Sequence, residues 1–281
     1  MEKVGIATLT LIITNTIFTY KGLKERNFLN TFSFRVNEIL NKKDYKRLIT
    51  SGFLHINWIH FSFNIVTLYL FSYNLENYLG PVLFSLLYFT SLIGGNIFAL
   101  FIHKNHPDYS AVGASGAVSG LVFAAIGLFP KIEVGFIFLP IQIPGWLYGI
   151  IFVLYSIYGI KNQKDNIGHE AHLGGGIFGL LFAILLQPSI LVTNYFPIAL
   201  IVIPSSIFLY LIITKPSFLI VSNLFTKSKG YVTIDDKYNE DKVNKENELN
   251  KILDKINKKG YDSLSKKDKR KLDELSNKSN S

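Results

Sequence analysis

The chain has 281 residues, is 49% hydrophobic, and carries only 17% charged residues and a formal net charge of +9. It has no cysteine, which excludes disulfides, thiolate nucleophiles and cysteine metal sites. The basic excess is concentrated in segment 21–47 and beyond residue 214, which suits contact with anionic lipid and not nucleic acid.

Seven apolar runs follow in order, at 4–20, 53–73, 82–102, 111–129, 143–160, 171–186 and 195–214. A membrane-crossing helix needs about 20 such residues. A cleaved leader would account for the first run and leave six unexplained. The expected fold class is therefore an all-α, polytopic membrane helical bundle. Segment 21–47 scatters Phe32, Phe34, Val36, Ile39 and Leu40 among eight basic and three acidic residues. That pattern fits a structure lying in the membrane interface better than a free tether. Pro140 and Pro144 place the start of the fifth span after them, with Trp146 and Tyr148 at the interface. Pro197 and Pro204 predict a kinked seventh span.

After residue 214 the character changes. Residues 215–244 are polar and read as a linker. Residues 245–278 read as a small helical hairpin. Its first helix places Leu249, Ile252, Leu253 and Ile256 on one face and stops at Gly260. Its second starts at Ser265, with Asp268 as a capping partner, and continues through Leu272 and Leu275.

A strongly polar residue inside a span is costly and is a functional candidate by default. Three clusters qualify. In "FLHINWIHFSFN", His60 and Asn64 are four apart and share a helix face, with His55 at the helix entrance. Hydrogen bonding between helices would also explain such residues. In "GASG", Ser115 lies between Gly113–Ala114 and Gly116, and Gly116 with Gly120 gives a GxxxG spacing that lets another backbone approach. In "GHEAHLGGGIFG", His172 opens the sixth span, and Gly175 with Gly179 repeats that spacing. His169 and His172 are three apart with Glu170 between them, which falls short of the four-residue HExxH zinc pattern, so no metal or cofactor is expected. The fourth and sixth spans run in the same direction. Ser115 and His172 therefore lie at similar depth, where a nucleophile and a base can meet. No acidic residue lies deep in a span to complete a triad, so a catalytic reading is a Ser–His dyad.

Together these residues resemble the rhomboid intramembrane serine proteases over most of residues 1–190. The resemblance rests on "HINWIHFSFN", "GASG" and "AHLGGGIFG" in the family's order and spacing. It implies a rhomboid-type six-span core at 1–190, a seventh span at 191–214 and an appended tail. It also implies Ser115 as nucleophile and His172 as general base, with an oxyanion hole from His60, Asn64 and the Ser115 amide. His55 would be a structural polar residue near the mouth, and Arg47 matches an arginine closing the family's first loop. Two positions depart from the family. Ser119 stands where an aromatic often packs under the catalytic histidine, and Lys46 stands where Trp often precedes the arginine.

The resemblance implies cleavage of transmembrane protein substrates, with membrane lipids as the other partners, in a bacterial plasma membrane. Its topology puts the N-terminus inside and the serine outside. The basic segment 21–47 would then also lie outside, against the positive-inside rule. A non-catalytic binder of membrane segments would use the same groove. A proton path through His55, His60 and His172 would suit a transporter but leaves the Gly-Ala-Ser-Gly arrangement unexplained.

Overall fold

The first apolar run forms helix α1, Ile6–Lys24, in the computed structural model, which describes residues 4–129, 131–136, 139–162 and 167–214, with Ser265 and Asp268 in the tail. The start of α1 is tied down by a side chain from far along the chain. Glu76, 6% exposed, accepts from the Ala7 and Thr8 amides at 2.8 and 2.9 Å and from the Thr8 hydroxyl. These amides have no partner within the helix, and a carboxylate there also complements the helix dipole.

Segment 21–47 is more ordered than an interfacial amphipathic stretch requires. It contains helices α2 (Arg26–Phe32) and α3 (Val36–Leu40) and strand β1 (Phe34–Arg35), then leads into α4 (Arg47–Thr50). Phe34, Val36 and Ile39 are buried and, with Ala99, form a small separate core against which Leu48, Tyr109 and Ala171 pack. Leu40 stays 43% exposed. Arg47 holds this unit together from inside. Its guanidinium donates to the Asn30 and Ser33 carbonyls at 2.9 and 2.7 Å and to the Asp44 carboxylate at 2.9 Å.

The second and third runs form one helical stretch, α5 (Trp58–His103), broken at Gly80. Gly80 has φ of +75°, which a side chain would oppose, and Pro81 restarts the helix where its missing N–H costs nothing. The chain folds back there. Glu76, beside the break, meets the start of α1, whereas both far ends reach the opposite side. There His60 approaches Gly113, and Asn96 donates to the Leu48 carbonyl at 2.8 Å.

The fourth run begins later than its apolar residues suggest. Ser110–Ala111 form strand β2, paired antiparallel with β1, and helix α6 runs from Ser115 to Leu128. A short hairpin, β3 (Glu133–Phe136) and β4 (Leu139–Pro144), leads into α7 (Gly145–Asn162), which starts just after Pro144 as the prolines predict. Helix α8 spans His169–Leu186. A short α9 (Ile190–Thr193) follows, and Asn194 after it donates to the Ile126 and Gly127 carbonyls, satisfying the end of α6. The last described helix, α10 (Tyr195–Thr214), carries Pro197 in its first turn and Pro204 inside. It packs mainly on α7, with the Trp146 and Phe196 rings edge-to-face at 5.5 Å.

The architecture is an all-α polytopic membrane bundle. Among the described residues, α5, α8 and α10 are long and apolar enough to cross a membrane, and α6 and most of α7 are apolar but shorter. The chain divides into two units, Met1–Phe225 and Thr226–Ser281. Within the second, the Asp268 amide donates to Ser265 Oγ at 3.1 Å, the bond expected of a helix start there. The rest of the expected hairpin lies outside the described residues.

Candidate active site

The bundle's centre is a seam of glycines. A Cβ on Gly175 would strike the Gly116 carbonyl, and one on Gly179 the Gly120 carbonyl. The two pairs rise together along the chain, so α6 and α8 run parallel with their backbones in contact. Small residues are what membrane helices use for such approach. Above the seam, the Ala171 carbonyl fits between Gly95 and Gly116. This register puts Ser115, the first residue of α6, level with His172 in the first turns of α8. Both residues are half-buried, whereas every residue from Gly116 to Leu128 is buried.

The turn before Ser115 has a defined shape with identifiable causes. Gly113 has φ of +139°, a conformation that side chains oppose. Its amide donates to the Ser51 carbonyl at 3.0 Å. The next amide, Ala114, donates to His55 Nε2 at 3.4 Å. His55 is fully buried, and its Nδ1 lies 2.8 Å from Thr19 Oγ1. A backbone amide can only donate, so Nε2 is the acceptor and the proton is on Nδ1. Thr19 Oγ1 accepts that proton and passes its own to the Phe53 carbonyl at 3.3 Å. His55 is thus a neutral strut beneath the serine turn, lying just outside the helix because Asn57 caps α5 by accepting from the His60 amide at 2.7 Å.

His60 faces the same space from the first turn of α5. A Cβ on Gly113 would lie 3.0 Å from His60 Nε2 and 3.5 Å from Ser115 Oγ. The absent side chain of Gly113 is therefore what leaves room between them. His60 Nδ1 is buried without a hydrogen-bond partner, and the ring packs edge-on against His55 at 5.0 Å. Asn64, 6% exposed, donates to the His60 carbonyl at 2.9 Å, which uses one of its two amide hydrogens and leaves the other for a further acceptor.

On the histidine side, Ser119 is 6% exposed and Phe152 of α7 stands beside His172, with ring centroids 6.1 Å apart and planes tilted by 32°. The aromatic neighbour expected from α6 is supplied by a different helix. His169 and His172 are also ring neighbours at 6.1 Å, and among the described residues no group of His, Asp and Glu could hold a metal ion. Reasoning along the sequence missed Phe152. It also gave Glu170 no role except as a metal ligand. Its partner, His103, lies 67 residues away, and only the pairing of α5 with α8 brings them together.

A family model described as the Rhomboid domain matches residues 42–189. A second, a family of unknown function designated DUF6576, matches residues 232–278 of the tail. Among similar proteins, RHOMBOID-like protein 12, mitochondrial, of Arabidopsis thaliana is 28% identical over 184 residues, which cover 59% of this chain and 54% of that protein. Rhomboid protein 1, mitochondrial, of Saccharomyces cerevisiae is 30% identical over 152 residues, covering 51% and 44% respectively. Rhomboid protease GluP of Bacillus subtilis is 30% identical over 157 residues, covering 56% of this chain and 30% of that protein. The chain spans about half the length of the first two relatives.

Proposed function

Because the chain belongs to the rhomboid family, we propose that it is an intramembrane serine endopeptidase working through a Ser115–His172 dyad. In this reading the Ser115 hydroxyl attacks a peptide carbonyl as His172 takes its proton. A tetrahedral intermediate forms, and His172 returns the proton to the leaving amine. Water then cleaves the acyl-ester, with His172 again as base. The developing oxyanion would be met by His60, by the free amide hydrogen of Asn64 and by the Ser115 amide at the start of α6. The chain would work in a bacterial plasma membrane, on membrane proteins whose spans carry small, helix-weakening residues near the outer boundary.

The observation that carries this reading is the glycine seam. It brings Ser115 and His172 to one level on two parallel helices, with His60 facing the serine across Gly113, which supports the dyad reading. Helix length adds support. The 14 residues of α6 span about 21 Å at 1.5 Å each, less than the roughly 30 Å hydrocarbon thickness. An end of α6 therefore sits within the membrane, where irregular backbone is tolerated only if protein satisfies it. Ser51 and His55 do this for the serine turn.

The test is labelling with a fluorophosphonate probe together with cleavage of a model transmembrane substrate in liposomes. Ser115→Ala and His172→Ala should each abolish both activities and leave the protein monodisperse. Cleavage that persists in Ser115→Ala would overturn the proposal, and a folded wild type that binds the segment without labelling would favour a non-catalytic binder.

A further inference from the structure

Outside the dyad, the most heavily buried charged group near the site is Glu170, 4% exposed. It sits in the first turn of α8, two residues before His172. Its two oxygens face two different parts of the protein. Oε1 accepts from His103 Nε2 at 2.9 Å, at the last residue of α5. Oε2 accepts from the Tyr109 hydroxyl at 3.4 Å, in the loop that leads to Ser115. The His103 and Tyr109 rings stack face to face at 3.6 Å, so the two donors form one unit. His106 completes it, with its Nδ1 3.2 Å from His103 Nδ1. Burial, and then the adjacent Glu170 carboxylate, push the Tyr109 hydroxyl well above its ordinary value, which keeps it a donor.

Tyr109 is in turn fixed to the first loop. Its carbonyl accepts from the Val36 amide at 3.2 Å, and its ring packs edge-on to Phe34 at 6.0 Å. Ala171, between Glu170 and His172, packs into the same small core. The glycine seam fixes how close α6 and α8 come, but glycine backbones do not hold the first turn of α8 against fraying. A charged acceptor with two donors does.

We infer that Glu170 is a positioning residue for His172, a buried carboxylate clamp that ties the base-bearing turn of α8 to the loop carrying the nucleophile. The inference rests on the dyad reading of this site. Glu170 touches no reacting atom. It acts by fixing where the His172 backbone begins, and displacement of a reacting group by about 1 Å can cost about 100-fold in rate.

The experiment uses the full chain in liposomes and measures kcat, KM, the rate of fluorophosphonate labelling and the melting temperature. Glu170→Gln replaces one acceptor oxygen with a donor and so opposes one of the two clamped groups. It should lower kcat and the labelling rate together, by about 10- to 100-fold, with KM changed less than about twofold. His103→Leu should match it, whereas His103→Gln, which keeps an N–H donor, should recover most of the rate. Should Glu170→Gln fail to fold, Tyr109→Phe removes a single hydroxyl without changing shape. It should slow labelling by about two- to fivefold in a protein that stays folded. A folded Glu170→Gln protein, or a Tyr109→Phe protein, that labels at the wild-type rate overturns the clamp. So does a Glu170→Gln protein whose only change is a lower melting temperature. Wild-type labelling that depends on Ser115 while ignoring Glu170 removes this inference alone. Labelling independent of Ser115 removes the dyad reading and the clamp with it.

Discussion

The entrances of α6 and α8 lie at one level but are held in different ways. The α6 entrance, with Ser115, is held by neutral groups: the Ser51 carbonyl and the His55 imidazole take the Gly113 and Ala114 amides. The α8 entrance, with His172, is held by a buried carboxylate and by apolar contact with α7. A backbone turn whose successive amides are both bonded to buried acceptors has little freedom, because neither can move without losing a bond. A side chain packed beside a ring, as His172 is beside Phe152, can adjust by small rotations. The Ser115 side is therefore the fixed reference, and the His172 side is where geometry can adjust.

The largest effect should come from the seam that both entrances share. Gly175→Leu places a side chain in the Gly116 backbone, which cannot yield as a flexible side chain would. Overpacking of ordinary cores costs about 1–3 kcal/mol, and here the α6–α8 contact itself should open. Size-exclusion profile and probe labelling should both collapse. A monodisperse, labelled Gly175→Leu protein would show that the entrances do not depend on the seam. On the fixed side, His60→Ala should reduce kcat by about 100- to 1,000-fold if His60 donates to the oxyanion. The melting temperature should change little, since His60 Nδ1 makes no hydrogen bond to lose. A rise in KM alone would assign His60 to substrate binding.

How much of this was readable in the sequence follows from the distance over which each feature is encoded. The seven apolar runs, the post-proline start of α7 and the two GxxxG spacings are local patterns, and the helices appear where the patterns lie. Helix starts were less legible. Residues 111–114 are apolar or small and read as span, yet α6 starts only at Ser115, because Ser110–Ala111 pair with Phe34–Arg35, 75 or more residues earlier, and Gly113 then turns the chain. Segment 21–47 reads as interfacial because its apolar residues are scattered among basic ones. Its core forms only when Ala99 and Tyr109 arrive from elsewhere. Ser115, His172, His60 and Asn64 were singled out by being polar within apolar runs. Glu76, Glu170 and Phe152 were not, because each gains its role from a partner more than 15 residues away. For Phe152, an aromatic in an apolar span carries no signal at all.

Arg47 sharpens the fixed side from a greater distance. It is 6% exposed and bonds to neither Ser115 nor His172, but the helix it begins leads directly to Ser51 and then His55. Arg47→Ala leaves the buried Ser33 carbonyl without its guanidinium donor, at a cost of about 1–3 kcal/mol, whereas the Asn30 carbonyl keeps the Ser33 hydroxyl. Thermal unfolding in detergent should show a clear loss. Arg47→Lys should recover only part of it, since one ammonium cannot reproduce a planar fork that reaches two carbonyls and the Asp44 carboxylate. Full recovery by lysine would mean that charge alone matters there.

The smallest effect, and the one most specific to the adjustable side, is expected at Phe152. Its ring lies within the 4.5–7 Å range in which aromatic pairs gain about 0.5–1.5 kcal/mol beyond burial. It also contacts Phe123 of α6 edge-to-face at 5.4 Å, so it bridges the serine-bearing helix and the histidine. Phe152→Ala should slow probe labelling by about 2- to 12-fold, the rate equivalent of that energy. Phe152→Tyr, which keeps the ring, should stay near wild type. Adding Ser119→Tyr to Phe152→Ala should not restore the rate, because Ser119 is 6% exposed and the bundle has no room there for a phenol. Restoration by that double change would place the support for His172 on α6 and make the Phe152 contact incidental. Loss of labelling with both the alanine and the tyrosine variants would point to packing of α7 as a whole, because the tyrosine variant keeps the ring beside His172.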